Sequence, residues 1–166
     1  KPLAIHVETN MSDYMEASLV GLSLCQIEGN AAYIPLAHDY GDAPDQLDAD
    51  TVVGKLEPLL RDIEIVAHDL KFVRTILAKY GINFAVSFDT MLASYVLNSV
   101  GSRHDLDDLA LRYAGLHKDR YEDIAGKGAK QLSFNQLDIK TAGQYAAEAA
   151  DVALQLSIIL KGKLEV

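Results

Sequence analysis

The chain has 166 residues, 49% of them apolar, which is enough to bury a hydrophobic core of its own. Its 24 acidic and 15 basic residues give a formal net charge of −9. This charge argues against a free-standing nucleic-acid-binding protein, which would neutralise phosphates with Lys and Arg. No apolar run reaches the roughly 18 residues that a membrane span needs. With one cysteine, Cys25, and no signal-peptide pattern in the first residues, we expect a reduced, cytoplasmic protein without an internal disulfide framework.

The first part of the chain predicts a small antiparallel sheet. Residues 3–8 predict a strand, and residues 18–27 and 31–37 predict two further strands. A Glu-Gly-Asn turn at residues 28–30 separates the last two, which therefore form a hairpin. Pro35 has no amide hydrogen to donate, so we expect it near a strand end or at the sheet edge.

The rest of the chain predicts helices that alternate with short strands. The predicted helices cover residues 48–60, 69–80, 89–99, 105–114 and 138–160, and the predicted strands cover residues 63–67 and 84–86. Asp48 or Asp50 is expected to cap the first helix and Asp89 the third, while Gly81 and Gly115 end the second and the fourth. Residues 117–136 predict a loop with one helical turn. The pattern indicates one α/β domain over residues 1–166, a mixed sheet with flanking helices.

Seven segments, in this order and spacing, resemble the 3'–5' exonuclease (proofreading) domain of bacterial family A DNA polymerases, of the DNA polymerase I type. They are residues 32–40 (AYIPLAHDY), 42–46, 88–99 (FDTMLASYVLNS), 103–105, 122–128, 131–136 and 144–152 (QYAAEAADV). The resemblance implies an RNase H-like (DnaQ-like exonuclease) fold. It also implies a monomeric piece of a larger DNA polymerase, with the polymerase domain of the same chain as its partner and with DNA reached through that parent enzyme.

The resemblance also implies a chemistry that most of the required residues no longer support. The family belongs to the DEDDy group, in which four carboxylates hold two Mg²⁺ or Mn²⁺ ions and a tyrosine orients the attacking water. Three of the family's aspartate positions are His6, Val73 and Ala149 here, and Glu8 and Tyr145 remain. Valine and alanine donate no lone pair, and imidazole suits Mg²⁺ poorly. We therefore expect no metal cofactor and a vestigial, catalytically inactive domain that is retained as a scaffold. One base change from an Asp codon reaches each replacement, which favours natural drift.

Two other functions stay open at this point. The domain could be a residual exonuclease with a non-standard metal site that includes His6 and Glu8, although a hydrogen-bonded histidine near a strand end is the commoner role. It could also be a weak binding module for the 3' end of single-stranded DNA, which Lys71, Phe134 and Asn135 would contact. The net charge of −9 weighs against that second alternative.

Overall fold

The computed structural model describes residues 1–85, 88–100 and 103–165. Within these ranges, five strands form a single sheet in the order β3-β2-β1-β4-β5. The strands are β1 (Leu3–Thr9), β2 (Leu19–Ile27), β3 (Asn30–Pro35), β4 (Ile65–Ala67) and β5 (Phe88–Asp89). Strands β1, β2 and β3 are antiparallel neighbours, whereas β4 and β5 run parallel to β1. The mixed sheet and its hairpin are as predicted, and Pro35 is the last residue of the edge strand β3.

The helices follow the predicted order, and the structure corrects one predicted helix and one predicted strand. They are α1 (Ala49–Leu60), α2 (Leu70–Ala78), α3 (Thr90–Leu97), α4 (Leu106–Leu109), α5 (Tyr121–Ala125) and α6 (Ile139–Leu164). The helix predicted at residues 105–114 is α4 followed by a π-helical turn at Ala110–Ala114, which Gly115 ends in the left-handed conformation (φ 67°). The strand predicted at residues 84–86 is not formed at Phe84 and Ala85, and residue 86 lies outside the described ranges. The strand in this part of the chain is β5, in which Phe88 pairs with Val66.

Five helices begin at an aspartate whose carboxylate accepts a hydrogen bond from a backbone amide of the first turn. The five caps are Asp48, Asp69, Asp89, Asp105 and Asp138. Such a cap satisfies an amide that has no partner inside the helix, and the negative charge is favourable at the positive end of the helix dipole. Capping by Asp48 and Asp89 was predicted from the sequence and is confirmed.

The two faces of the sheet are covered by different helices. Helix α6 packs along β1, β2 and β3 through an alanine-rich stripe, and small side chains allow this close approach. The stripe consists of Ala142, Ala146, Ala149, Ala150 and Ala153. The opposite face is covered by a core that includes Ile5, Val7 and residues of α1 and α2. No helix in the described part of the chain is long and apolar enough to cross a bilayer.

Candidate functional site

The first two candidate residues lie at the carboxyl end of β1. His6 and Glu8 are two residues apart, so their side chains share one face of the strand. Both are largely buried, and His6 Nε2 donates to Glu8 Oε1 over 2.8 Å. The imidazole therefore lies against the carboxylate and occupies one of its oxygens.

Val73 and Ala149 are both inside the hydrophobic core. Val73 is 1% exposed and belongs to the cluster that contains Ile5 and Val7. These two side chains alternate along β1 with those of His6 and Glu8, and they point to the other face of the sheet. Ala149 is also 1% exposed and packs in a second cluster, with Leu109 and Val152 among its members. Neither position presents a polar atom to the carboxyl end of β1.

Tyr145 lies on α6 inside a group of aromatic rings. Its ring centroid is 6.2 Å from that of Tyr121 and 6.3 Å from that of Phe134. Burial raises the pKa of the Tyr145 phenol, and the negative charge of Glu8 raises it further. The phenol therefore stays protonated at neutral pH.

Lys118, which was not predicted from the sequence, contributes a cation to this region. Its side chain is 1% exposed, and its Nζ lies 3.5 Å from the centroid of the Tyr145 ring. Nζ is 3.8 Å from Asp107 Oδ1 and donates to the carbonyl oxygen of Asp119 over 3.2 Å. Sequence reasoning missed it because residues 117–120 are all polar (HKDR) and read as a solvated loop. Only the packing of α4 and α6 around this segment buries the lysine.

A cleft of about 450 Å³ opens beside Glu8. It is lined by β1 and the following loop and by the segment that carries Phe134; its residues are Glu8, Thr9, Asn10, Met11, Ser12, Tyr121, Gln131, Leu132, Ser133 and Phe134. Phe134 is only 2% exposed, so little of its ring is available to a nucleic-acid base. Asn135 donates from Nδ2 to Asp39 Oδ1 over 2.7 Å, and its own Oδ1 is buried without a partner in the structure.

Lys71 is not part of the cleft. It lies on the exposed side of α2, where with Arg74 it borders a separate groove of about 430 Å³ between α2 and α3. The structure therefore brings Phe134 close to Glu8 and Tyr145 but leaves Lys71 elsewhere. DNA contact through Lys71, Phe134 and Asn135 stays a prediction.

His68 and the neighbouring Asp69 serve structural roles. His68 Nδ1 lies 3.0 Å from Thr90 Oγ1, and burial lowers the pKa of His68 to about 4. Asp69 has the left-handed conformation (φ 55°) and caps α2 by accepting from the amide of Phe72. The Asp89 carboxylate accepts from the amides of Leu70 and Met91, so it links the starts of α2 and α3.

A model of the 3'-5' exonuclease family of A-type DNA polymerases matches residues 1–165. The chain belongs to this exonuclease family. The exonuclease domain is 49% identical to DNA polymerase I of Pseudomonas aeruginosa over 98% of its length, and 36% identical to DNA polymerase I of Rhizobium leguminosarum over 98%. It spans 18% of the length of each of these relatives.

Solved structures share the fold of the exonuclease domain. The POL domain of Pol1 from M. smegmatis, in complex with DNA primer-template and dNTP, matches with a TM-score of 0.71 and 21% identity, over 99% of this chain and 24% of that chain. Brucella melitensis NrnC matches with a TM-score of 0.72 and 21% identity, over 99% of this chain and 73% of that chain. The RNase H-like fold that the resemblance implied is confirmed.

The residues at the family's metal positions do not fit a pair of divalent ions. Mg²⁺ and Mn²⁺ require several oxygen ligands in near-octahedral geometry. Val73 and Ala149 offer no donor atom, and one Glu8 oxygen is engaged by His6. Across residues 1–85, 88–100 and 103–165, no three His, Cys, Asp or Glu side chains are arranged to hold a metal ion.

Proposed function

We propose that this exonuclease domain has lost its two-metal centre and persists as a structural part of a DNA polymerase. The observation that carries the proposal is the burial of Val73 and Ala149, because two of the four family carboxylate positions lie in apolar packing. A two-metal hydrolysis needs ions that stabilise both the attacking and the leaving oxygen. Glu8 alone, with one oxygen already engaged by His6, provides too few ligands for that work.

The surface of α3 supports a scaffold role. Leu92 lies three residues before Tyr95 and four before Val96, so both are its neighbours on the helix surface, and each of the three is more than half exposed. Contiguous exposed apolar side chains of this kind are typical of a protein interface. The matched relatives are DNA polymerases I more than five times the length of this chain, as the 18% coverage implies. We propose that residues 1–166 are one domain of such an enzyme and that its polymerase domain covers α3.

A nuclease assay on the 166-residue chain tests the loss of activity. A single-stranded oligonucleotide labelled at its 5' end is incubated with the chain and Mg²⁺, Mn²⁺ or Zn²⁺, and shortening from the 3' end is followed on a gel. We expect no shortening above that of the matched Glu8→Ala variant. Metal-dependent shortening that Glu8→Ala abolishes would establish the alternative, a residual exonuclease with a non-standard metal site.

A binding titration addresses the other alternative, a module that holds a single-stranded 3' end without cutting it. Glu8 lines the cleft and the chain carries a net charge of −9, so phosphates meet repulsion that no metal offsets. We expect no saturable binding of single-stranded DNA at micromolar protein and low salt. Binding with a steep salt dependence, weakened by Asn135→Ala, would favour the binding module.

The scaffold role is tested in the parent polymerase. Deleting this domain is expected to lower the yield of soluble polymerase and its thermal stability, because an apolar interface becomes exposed. Glu8→Ala in the full-length enzyme is the matched control and should leave both unchanged. A deletion that leaves solubility and stability intact would contradict the scaffold role while leaving the loss of nuclease activity untouched.

A further inference from the structure

The groove between α2 and α3 has an apolar lining that reaches the hydrophobic core. Leu70, Ile82 and Phe84 line it and are buried members of the core that covers one face of the sheet. Ala78 of α2 and Leu92 of α3 also line the groove, and both are exposed. Its volume of about 430 Å³ is that of a recess able to hold a ligand or a large side chain. An apolar group that enters the groove is removed from water against core side chains, which is favourable.

Two cations stand at the border of this α2–α3 groove. Lys71 and Arg74 lie three residues apart on α2, so they are neighbours on the helix surface, and both are exposed. Neither side chain forms a hydrogen bond or an ion pair with another residue that the structure describes. Asp89 also lines the groove, but its carboxylate accepts from the amides of Leu70 and Met91. Two positive charges at the edge of an apolar recess are therefore available to an acidic partner.

The groove adjoins the apolar surface of α3. Leu92 lines the groove and is also one of the three exposed apolar residues of α3, with Tyr95 and Val96. Under the proposed function, on which this inference rests, the polymerase domain covers that surface. A segment that covers Leu92 therefore also lies at the groove. Protein interfaces combine an apolar centre with a polar rim, and they are enriched in arginine, which is the arrangement seen here.

A protein segment matches these features better than nucleic acid does. Phosphates bind chiefly through neutralisation by Lys and Arg, and they gain nothing from an apolar floor. The chain has a net charge of −9 and Asp89 adds a carboxylate to the lining, so a row of phosphates meets repulsion. A peptide with an apolar side chain and a neighbouring carboxylate uses both the recess and the cations.

We propose that the α2–α3 groove is the docking site for a segment of the polymerase domain that carries an apolar side chain next to a carboxylate. The apolar side chain occupies the recess formed by Ile82 and Phe84, and the carboxylate pairs with Arg74 or Lys71. This contact holds α2, in addition to α3, against the polymerase domain. It extends the scaffold role from an apolar helix surface to a site with a defined chemical preference.

Photo-crosslinking in the full-length parent polymerase tests this docking. A benzophenone amino acid replaces Ala78, which is exposed and lines the groove, and in a separate preparation it replaces Lys55 of α1, an exposed control position. The purified enzyme is irradiated at low concentration, and the crosslinked peptides are identified by mass spectrometry. We expect position 78 to capture a peptide from outside residues 1–166 of the same polypeptide, with Asp or Glu within one helical turn of the attachment point. Position 55 should not capture that peptide.

A charge reversal shows whether the cations contribute to docking. Arg74→Glu, in the enzyme that carries the photoreactive residue at position 78, places a like charge opposite the carboxylate and should lower the captured fraction by roughly fivefold. Lys55→Glu reverses an exposed charge that does not line the groove, and this matched control should change the fraction by less than about twofold. Equal captured fractions from the two variants would overturn the inference.

Other crosslinked products identify a different occupant. A crosslink to labelled primer-template DNA, a crosslinked dimer of the polymerase, or attachment only within residues 1–166 would each overturn the inference. A benzophenone residue in place of Tyr95 reports separately on the surface of α3. Capture of the polymerase domain from position 95 but not from position 78 would remove the groove as a docking site and leave the scaffold role standing. Absence of capture from both positions would contradict both.

Discussion

The helix starts and the positions that match the family's metal-binding aspartates carry different residue types in this chain. At the helix starts, Asp48, Asp89 and Asp138 each accept a hydrogen bond from a backbone amide. At two of the metal positions, Val73 and Ala149 are packed apolar side chains. Carboxylates are present where they satisfy the backbone, whereas two of the four positions that match the family's metal ligands carry side chains without a donor atom. This difference is what we expect if the domain has lost the two-metal reaction, as proposed above, and only the fold still requires its carboxylates.

The largest expected effect comes from placing a carboxylate at position 73, where the structure has packed apolar side chains. Val73→Asp places a charge in the cluster around Ile5 and Val7, and we expect the free energy of unfolding to fall by about 4 kcal/mol. Val73→Thr, which adds a hydroxyl in nearly the same volume, should cost about 1–2 kcal/mol. Denaturant unfolding of both variants measures the two losses. Equal losses would mean that a carboxylate at position 73 still reaches water or a cation, and that the site is open.

The buried His68 should make stability depend on pH. Its pKa falls from 6.5 to about 4 on folding, so between these values the unfolded chain binds a proton that the folded chain excludes. The contribution is complete above pH 6.5 and is lost as the pH falls towards 4, by about 3 kcal/mol at most. Unfolding measured across this range should have a shallower pH dependence in His68→Gln. His117→Gln, at an exposed position, is the control and should retain the full dependence.

Removing a carboxylate that accepts from backbone amides of two helices should be costly. Asp89 accepts from amides at the starts of both α2 and α3, so Asp89→Ala is expected to lose about 2 kcal/mol in the free energy of unfolding. Asp48→Ala removes a cap that serves one helix and should lose less. Thermal or denaturant unfolding compares the two. A loss at Asp89 no larger than at Asp48 would show that the link between α2 and α3 contributes nothing.

Most of the fold could be predicted because local chemistry determines it. The hairpin turn, the caps at Asp48 and Asp89 and the helix ends at Gly81 and Gly115 all follow from residues close in sequence. Strand β5 could not be placed, since two residues carry no periodicity and its position is set by pairing with β4. The π-helical turn after α4 likewise has no sequence signal of its own.

The candidate site was predictable in its positions but not in its environment. Comparison with the family motifs located His6, Glu8, Val73, Tyr145 and Ala149, because motif spacing is a property of the sequence. The burial of Lys118 against Tyr145 and Asp107 depends on the packing of helices distant in the chain. Long-range packing of this kind determines charge compensation, and it is the part of the site that a sequence pattern leaves undetermined.

The smallest expected change in the free energy of unfolding comes from replacing Asp69, which caps α2, with asparagine. Aspartate and asparagine both tolerate the left-handed backbone of this position, and either side chain can accept from the amide of Phe72. Asp69→Asn should therefore change the free energy of unfolding by less than about 0.5 kcal/mol. Asp69→Ala should lose about 1–2 kcal/mol, because alanine can neither cap α2 nor adopt φ 55° without strain. If asparagine proves as costly as alanine, the negative charge itself is required at position 69. A neutral outcome for asparagine, with a loss for alanine, would mean that position 69 needs a side chain that caps α2 and tolerates the left-handed backbone, but not a negative charge.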